Sequence, residues 1–192
     1  MATTPLFRPD FDATATPPRT SQDRIRAIGG GVVAGLVGGI ALWALSAFWS
    51  VTQQGAFWPV FKGAAAPFLG SERITSPGFD AEAVALGAVV HLLISAGWGL
   101  AFALFFYGVA RALTVGAGLF WGLMVWLSMY YVLLPMVGLS QMVRTTPVWM
   151  AIVTHLFFGL VVGLAFLPFQ RTYPRIHAPQ RAPPVGREPV TP

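Results

Sequence analysis

Four long apolar stretches, at residues 27–50, 84–108, 113–137 and 148–169, leave this chain little choice of fold. Each supplies the roughly 20 apolar residues that a helix rising 1.5 Å per residue needs to cross about 30 Å of hydrocarbon. Only 10% of the 192 residues are charged and 55% are apolar, against roughly 25% charged in an ordinary soluble domain. The carboxylates also avoid the apolar runs: Asp10, Asp12, Asp23, Glu72, Asp80 and Glu82 precede the second run and Glu188 follows the fourth. These features predict an all-α integral membrane protein of four transmembrane helices, with the lipid bilayer as its principal partner.

The stretch between the first two runs, residues 51–80, forms an outer loop. Residues 1–24 and 170–192 read as tails, because proline-rich segments such as that holding Pro174, Pro179, Pro183, Pro184, Pro189 and Pro192 cannot bury enough apolar surface to order themselves. The N-terminal segment lacks the short apolar core of a cleavable signal peptide, so the first span is expected to be retained. Short loops rich in Lys and Arg stay in the cytoplasm. Arg8, Arg19, Arg24, Arg26, Arg111, Arg171, Arg175, Arg181 and Arg187 fall on one side, against Lys62, Arg73 and Arg144 on the other. Both termini are therefore expected in the cytoplasm, with the protein in a cell (inner) membrane. The net charge of +5 follows from this bias and suits an anionic inner leaflet. The arginines are spread over two tails without a folded basic face, so nucleic-acid binding is not expected. Cysteine is absent, which excludes disulfides and thiolate metal ligation.

The runs repeat. "HLLISAGWGLAF" begins at His91 and "HLFFGLVVGLAF" at His155, an offset of 64 residues that matches Ser95 with Gly159 and Gly99 with Gly163. The first and third runs align at an offset of 83, matching Gly35 with Gly118, Gly39 with Gly122 and Trp43 with Trp126. A two-helix hairpin used twice in tandem explains both alignments. Each copy crosses the membrane twice, so the copies share an orientation and their symmetry axis should follow the membrane normal.

Within each copy, small residues recur every four positions and so line one helix face. Gly31, Gly35, Gly39 and Trp43 form one stripe, and Thr114, Gly118, Gly122 and Trp126 its equivalent. Gly87, His91, Ser95, Gly99 and Ala103 form the stripe of the second span; Ala151, His155, Gly159 and Gly163 form that of the fourth. In lipid, close backbone approach and interhelical hydrogen bonds drive association, so these faces are the expected helix contacts. Each histidine lies about seven residues from the outer end of its span, roughly 10 Å deep at the helical rise. Trp43 and Trp126 come to a similar level.

An ionisable residue inside a membrane is a functional candidate by default. Three uses are open to His91 and His155. As register-setting residues, each would hydrogen-bond across the bundle to a carbonyl or hydroxyl, Ser46, Ser128 and Thr154 being in reach. As axial ligands, the two imidazoles would hold haem b between them, with Ser95 and Gly159 making room and Arg73, Arg144, Thr145 and Thr146 nearest for its propionates. As a conducting path, they would serve a small transporter or proton-conducting protein, without the carboxylate such proteins commonly use. A metal site is not expected, since zinc needs three or four ligands and only two suitable ones share that depth.

Two further features stand out. Pro135 is positioned to kink or end the third span. In the outer loop, Phe57, Phe61, Ala64 and Phe68 recur at helical steps between Pro59 and Pro67, predicting a short amphipathic helix that lies in the interface, caps the His and Trp layer, or docks a membrane-protein partner.

The paired His, small residue, Gly-Leu-Ala-Phe pattern and the preceding Gly-x-x-x-Gly-x-x-x-Trp pattern resemble those of small four-span bacterial membrane proteins known as domains of unknown function. The likeness covers residues 27–169 and implies the fold but no activity. One Lys against eleven Arg, and no Asn, also fit a GC-rich bacterial genome. The sequence thus leads to an expectation of a non-enzymatic structural or accessory subunit, with a haem b cytochrome and a small transporter as alternatives. The oligomeric state is left open, because small-residue stripes serve contacts within or between chains equally well.

Overall fold

The computed structural model describes residues 21–171. The expected tails lie almost wholly outside them. Four helical spans are long and apolar enough to cross a membrane: Ser21–Gln54, Ala81–Phe106, Arg111–Met136 and Val148–Phe169. They contain α1 (Ser21–Gln54), α5 (Ala81–Phe106), α6 (Arg111–Ser128) with α7 (Leu134–Met136), and α9 (Val148–Phe166). The segment between the first two spans, expected to be the outer loop, holds α2 (Pro59–Lys62), α3 (Ala66–Leu69) and α4 (Ser71–Thr75), and α8 (Ser140–Thr145) joins the last two spans. Outward side chains are apolar, as Leu93 at 67% and Phe105 at 73% exposure show, a surface stable only against lipid or another apolar body.

Local chemistry sets the ends. At the start of α5 the Asp80 carboxylate accepts the Ala83 N–H at 3.1 Å, an N-cap. Gly108 ends the turn after α5 with φ at +95°, a conformation that side chains with a Cβ adopt rarely. In the third span, Pro135 has no N–H to donate. One wide turn at Met129–Leu133 precedes it, closed by Leu134 N–H donating to the Met129 carbonyl. The helix is thus widened rather than ended at that point. α1 is already helical at Ser21, the first described residue, before the boundary expected at residue 25; Ser-Gln-Asp-Arg contains no helix breaker.

Packing runs in the order α5, α1, α9, α6. α1 lies against both α5 and α9, α6 lies against α9, and α5 and α6 share few contacts. The two hairpins cross in the same way. A Cβ on Gly35 would collide with the Ser95 carbonyl and sit 2.9 Å from Gly99 Cα; a Cβ on Gly118 would collide with the Gly159 carbonyl and sit 2.9 Å from Gly163 Cα. These are equivalent atoms at equivalent positions, and real Cβ atoms do not come so close. The glycines are therefore required at both crossings.

The arrangement departs from symmetry where the hairpins meet. Gly38 admits Val162 and Phe158 of α9, whereas the equivalent position of α6 is Trp121. Its indole N–H donates to the Trp98 carbonyl at 3.1 Å, and its ring lies 5.8 Å from that of Trp98. A hydrogen atom at Gly38 and an indole at Trp121 bring α1 to α9 and hold α6 off α5. Ala34, Phe102, Trp121, Val125, Phe158, Val162 and Phe166 fill the centre.

Candidate functional site

The first hairpin brings Trp43 and His91 together. Gly39 and Ser95, both on the facing stripes, allow α1 and α5 to approach until the His91 Nε2–H donates to the Gly39 carbonyl at 3.0 Å. The imidazole then stacks on Trp43 at 4.2 Å and 12°. Phe61 of the loop also packs on Trp43, ring centroids 4.5 Å apart and planes tilted at 52°. Gly87 lets this loop settle, because a Cβ there would strike the Phe61 carbonyl. Of the uses expected for the loop, capping the His and Trp layer is the one observed.

The second hairpin brings its residues together differently. His155 Nδ1–H donates to the carbonyl of Ala151, one turn earlier on its own helix, at 2.8 Å. Its ring meets Tyr130 edge-on at 5.7 Å. Trp126 packs instead on Tyr130 and Tyr131, and its buried indole nitrogen has no hydrogen-bond partner among the described residues. The stripe glycines Gly118, Gly122, Gly159 and Gly163 pack as expected, but the His and Trp do not repeat the stack of the first hairpin. Neither Ser46 nor Ser128 serves an imidazole; Ser128 donates to the Met124 carbonyl. Thr154 donates mainly to Met150 and Ala151, with the His155 ring only at 3.5 Å.

The cations weighed as propionate partners are engaged elsewhere. Arg73 forms ion pairs with Asp80 and Glu82, each at 2.7 Å. The Arg73 guanidinium, aided by the Ala83 N–H, holds the Asp80 carboxyl below the usual carboxylate range, and the paired carboxylates raise Arg73. Arg144 bonds to Gln141. Among the described residues no group of three or more His, Asp or Glu side chains could hold a metal ion.

The outer loop differs from its expected face. Ala65 and Ala66 are buried, while Phe57 and Phe68 are exposed. Gly63–Ala65 is a 3-10 turn, and three residues per turn instead of 3.6 rotate the apolar face by part of a turn. Pro59 and Pro67 open short helices rather than bounding one, sitting in first turns where no N–H is needed. Lys62 is 2% exposed and donates to the carbonyls of Ser76 and Gly78, at 2.8 and 3.2 Å.

Sequence reasoning missed Gln170, assigning it to the tail. It is fully buried. Its amide donates to the Phe106 carbonyl at 2.9 Å and to Thr114 Oγ1 at 3.0 Å, and its Oε1 accepts the Gly108 N–H at 2.9 Å. One side chain thereby ties the end of the fourth span to the link between α5 and α6. The signal available was an uncharged polar residue directly after "FLPF".

Compared with protein-family models, curated proteins and solved structures, the chain matches none.

Proposed function

We propose that this protein is a non-enzymatic, multi-pass protein of a bacterial inner membrane, a structural or accessory subunit built from two tandem copies of one helical hairpin with both termini in the cytoplasm. One observation carries the reading: His91, one of the two expected ligands, commits Nε2 to the Gly39 carbonyl and its ring face to Trp43. An axial ligand needs that nitrogen free and aimed at iron. The same bond locks α5 against α1, which is what a register-setting residue does. The equivalent glycine crossings support the duplication, and the arginine bias supports the orientation.

The exposed Phe57 and Phe68 beside the capped layer make the outer loop the surface on which a membrane-protein partner would dock. An absorption spectrum of the full chain purified from cells grown with a haem precursor tests the role of the histidines. No Soret band is expected. A band lost in both His91→Ala and His155→Ala would replace this reading with a haem b protein. For the docking surface, a complex recovered by mild solubilisation should dissociate in Phe57→Ser/Phe68→Ser; an unchanged complex would move the interface elsewhere.

A further inference from the structure

α1 and α5 touch at Gly31, where a Cβ would lie 2.6 Å from that of Ala103, and beyond this crossing the helices part toward the end where α1 begins and α5 finishes. Small Ala27 and Ala103 do not fill the gap. A groove of about 340 Å³ remains, lined by Arg24, Ala27, Ile28, Ala103, Leu104 and Tyr107. That is the low end of the range of ligand clefts, roughly 300–1,000 Å³. It is apolar inside and basic at its mouth, since Arg24 stands one helical turn outside Ile28. The Tyr107 hydroxyl donates to Asp23 at 3.1 Å, occupying the carboxylate beside the mouth. Asp23 is the sole described carboxylate at this end, against Arg24, Arg26, Arg111 and Arg171. Arg26 donates to the Pro168 carbonyl at 2.6 Å, while Arg24 has neither a hydrogen bond nor an ion pair among the described residues.

We propose that this groove binds one anionic phospholipid, its phosphate group on Arg24 and the upper part of an acyl chain along Ile28 and Leu104. The inference rests on the membrane reading above and adds a ligand to it. A lipid fits where a soluble anion does not, because the groove opens sideways: Ile28 is 47% and Leu104 63% exposed, so the walls continue into the lipid-facing surface. A basic side chain at the headgroup level attracts anionic lipid, and the chain below it is solvated on both sides by hydrocarbon.

The test uses the delipidated full chain in detergent, titrated with phosphatidylglycerol or phosphatidylcholine and read by native mass spectrometry. Phosphatidylglycerol should bind about fivefold more tightly, the preference expected of one basic group at the headgroup level. Arg24→Gln should abolish the preference, and Leu104→Trp should weaken both lipids. Both positions are exposed, so neither change threatens the fold. Arg144→Gln, at the opposite end, should change nothing. Equal binding of the two lipids, a preference that survives Arg24→Gln, or displacement by inorganic phosphate would overturn the proposal. So would a preference that emerges only in Asp10→Asn/Asp12→Asn, which would assign the groove to the N-terminal segment. Resistance of the wild-type chain to alkaline extraction from membranes reports separately on the membrane reading.

Discussion

The rings of Phe102 and Phe166 meet edge to face, centroids 5.5 Å apart and planes at 86°. They are also equivalent positions, each closing a Gly-Leu-Ala-Phe segment. Equivalent residues touch one another only beside the axis that relates them, so under the proposed duplication that axis would pass between these two rings. Both are fully buried. Replacing either with Ala should destabilise the bundle by about 3 kcal/mol. Because they contact each other, the double variant should fall short of the sum by about 1 kcal/mol. Denaturant titration in mixed micelles measures all four corners of the cycle, and strict additivity would deny the pairing.

Gly35→Val and Gly118→Val should disable the two hairpins to similar extents. Each places methyl groups against backbone, which cannot swing aside, so the loss should reach at least the roughly 1–3 kcal/mol typical of overpacking. Gly29→Val is the control, as a Cβ there meets nothing within 4 Å. Thermal unfolding in detergent compares them. Tolerance of Gly118→Val equal to that of Gly29→Val would show that the second crossing is not close.

His91→Phe keeps a ring on Trp43 and removes the donor to the Gly39 carbonyl. The expected loss is about 0.6 kcal/mol, the average for an interhelical polar contact in a membrane. His155→Phe breaks no bond between helices and should separate α6 from α9 less readily. Cysteine cross-linking between α1 and α5, and between α6 and α9, distinguishes the two effects.

Gln170→Ala removes the acceptor of the Gly108 N–H and one of two donors to the Phe106 carbonyl, which keeps the Val109 N–H, while the Thr114 hydroxyl still donates to Ala110; the change should cost about 1–3 kcal/mol. Gln170→Glu retains an acceptor for Gly108 but has no N–H for the other two, so its stability should fall between. Proteolysis at the link between α5 and α6 should rise in the same order. A wild-type rate in Gln170→Ala would remove the tie from the account.

The outer loop should loosen in acid. Asp80 has its carboxyl pKa lowered in the folded protein by Arg73 and the Ala83 N–H. Its contribution to stability is therefore present above the unfolded value of 3.8 and lost as pH falls through the lowered folded value. Protease sensitivity between α4 and α5 should climb over that acid window in the wild type. In Asp80→Asn it should be raised already at neutral pH and show no acid step.

Much of the fold was legible because lipid imposes simple demands. Length and hydropathy located all four spans to within a few residues, and four-residue spacing of glycine located both crossings, since neither depends on distant parts of the chain. Side-chain pairing was less readable. That Trp43 stacks on His91 while Trp126 turns to Tyr130 and Tyr131 depends on Phe61 arriving from the loop between the first two spans in one hairpin and on the wide turn before Pro135 in the other.

Residue order alone thus determined that four helices are long and apolar enough to cross a bilayer and which glycine faces adhere, because those properties are read along one chain segment. Tertiary structure decided the rest: which imidazole nitrogen is occupied, how Gln170 joins three backbone and side-chain groups, and why α1 meets α9 while α6 stands away from α5. Those outcomes turn on contacts between residues far apart in sequence, such as Gly38 with Val162 and Trp121 with Trp98, where the volume on one side sets the distance available to the other.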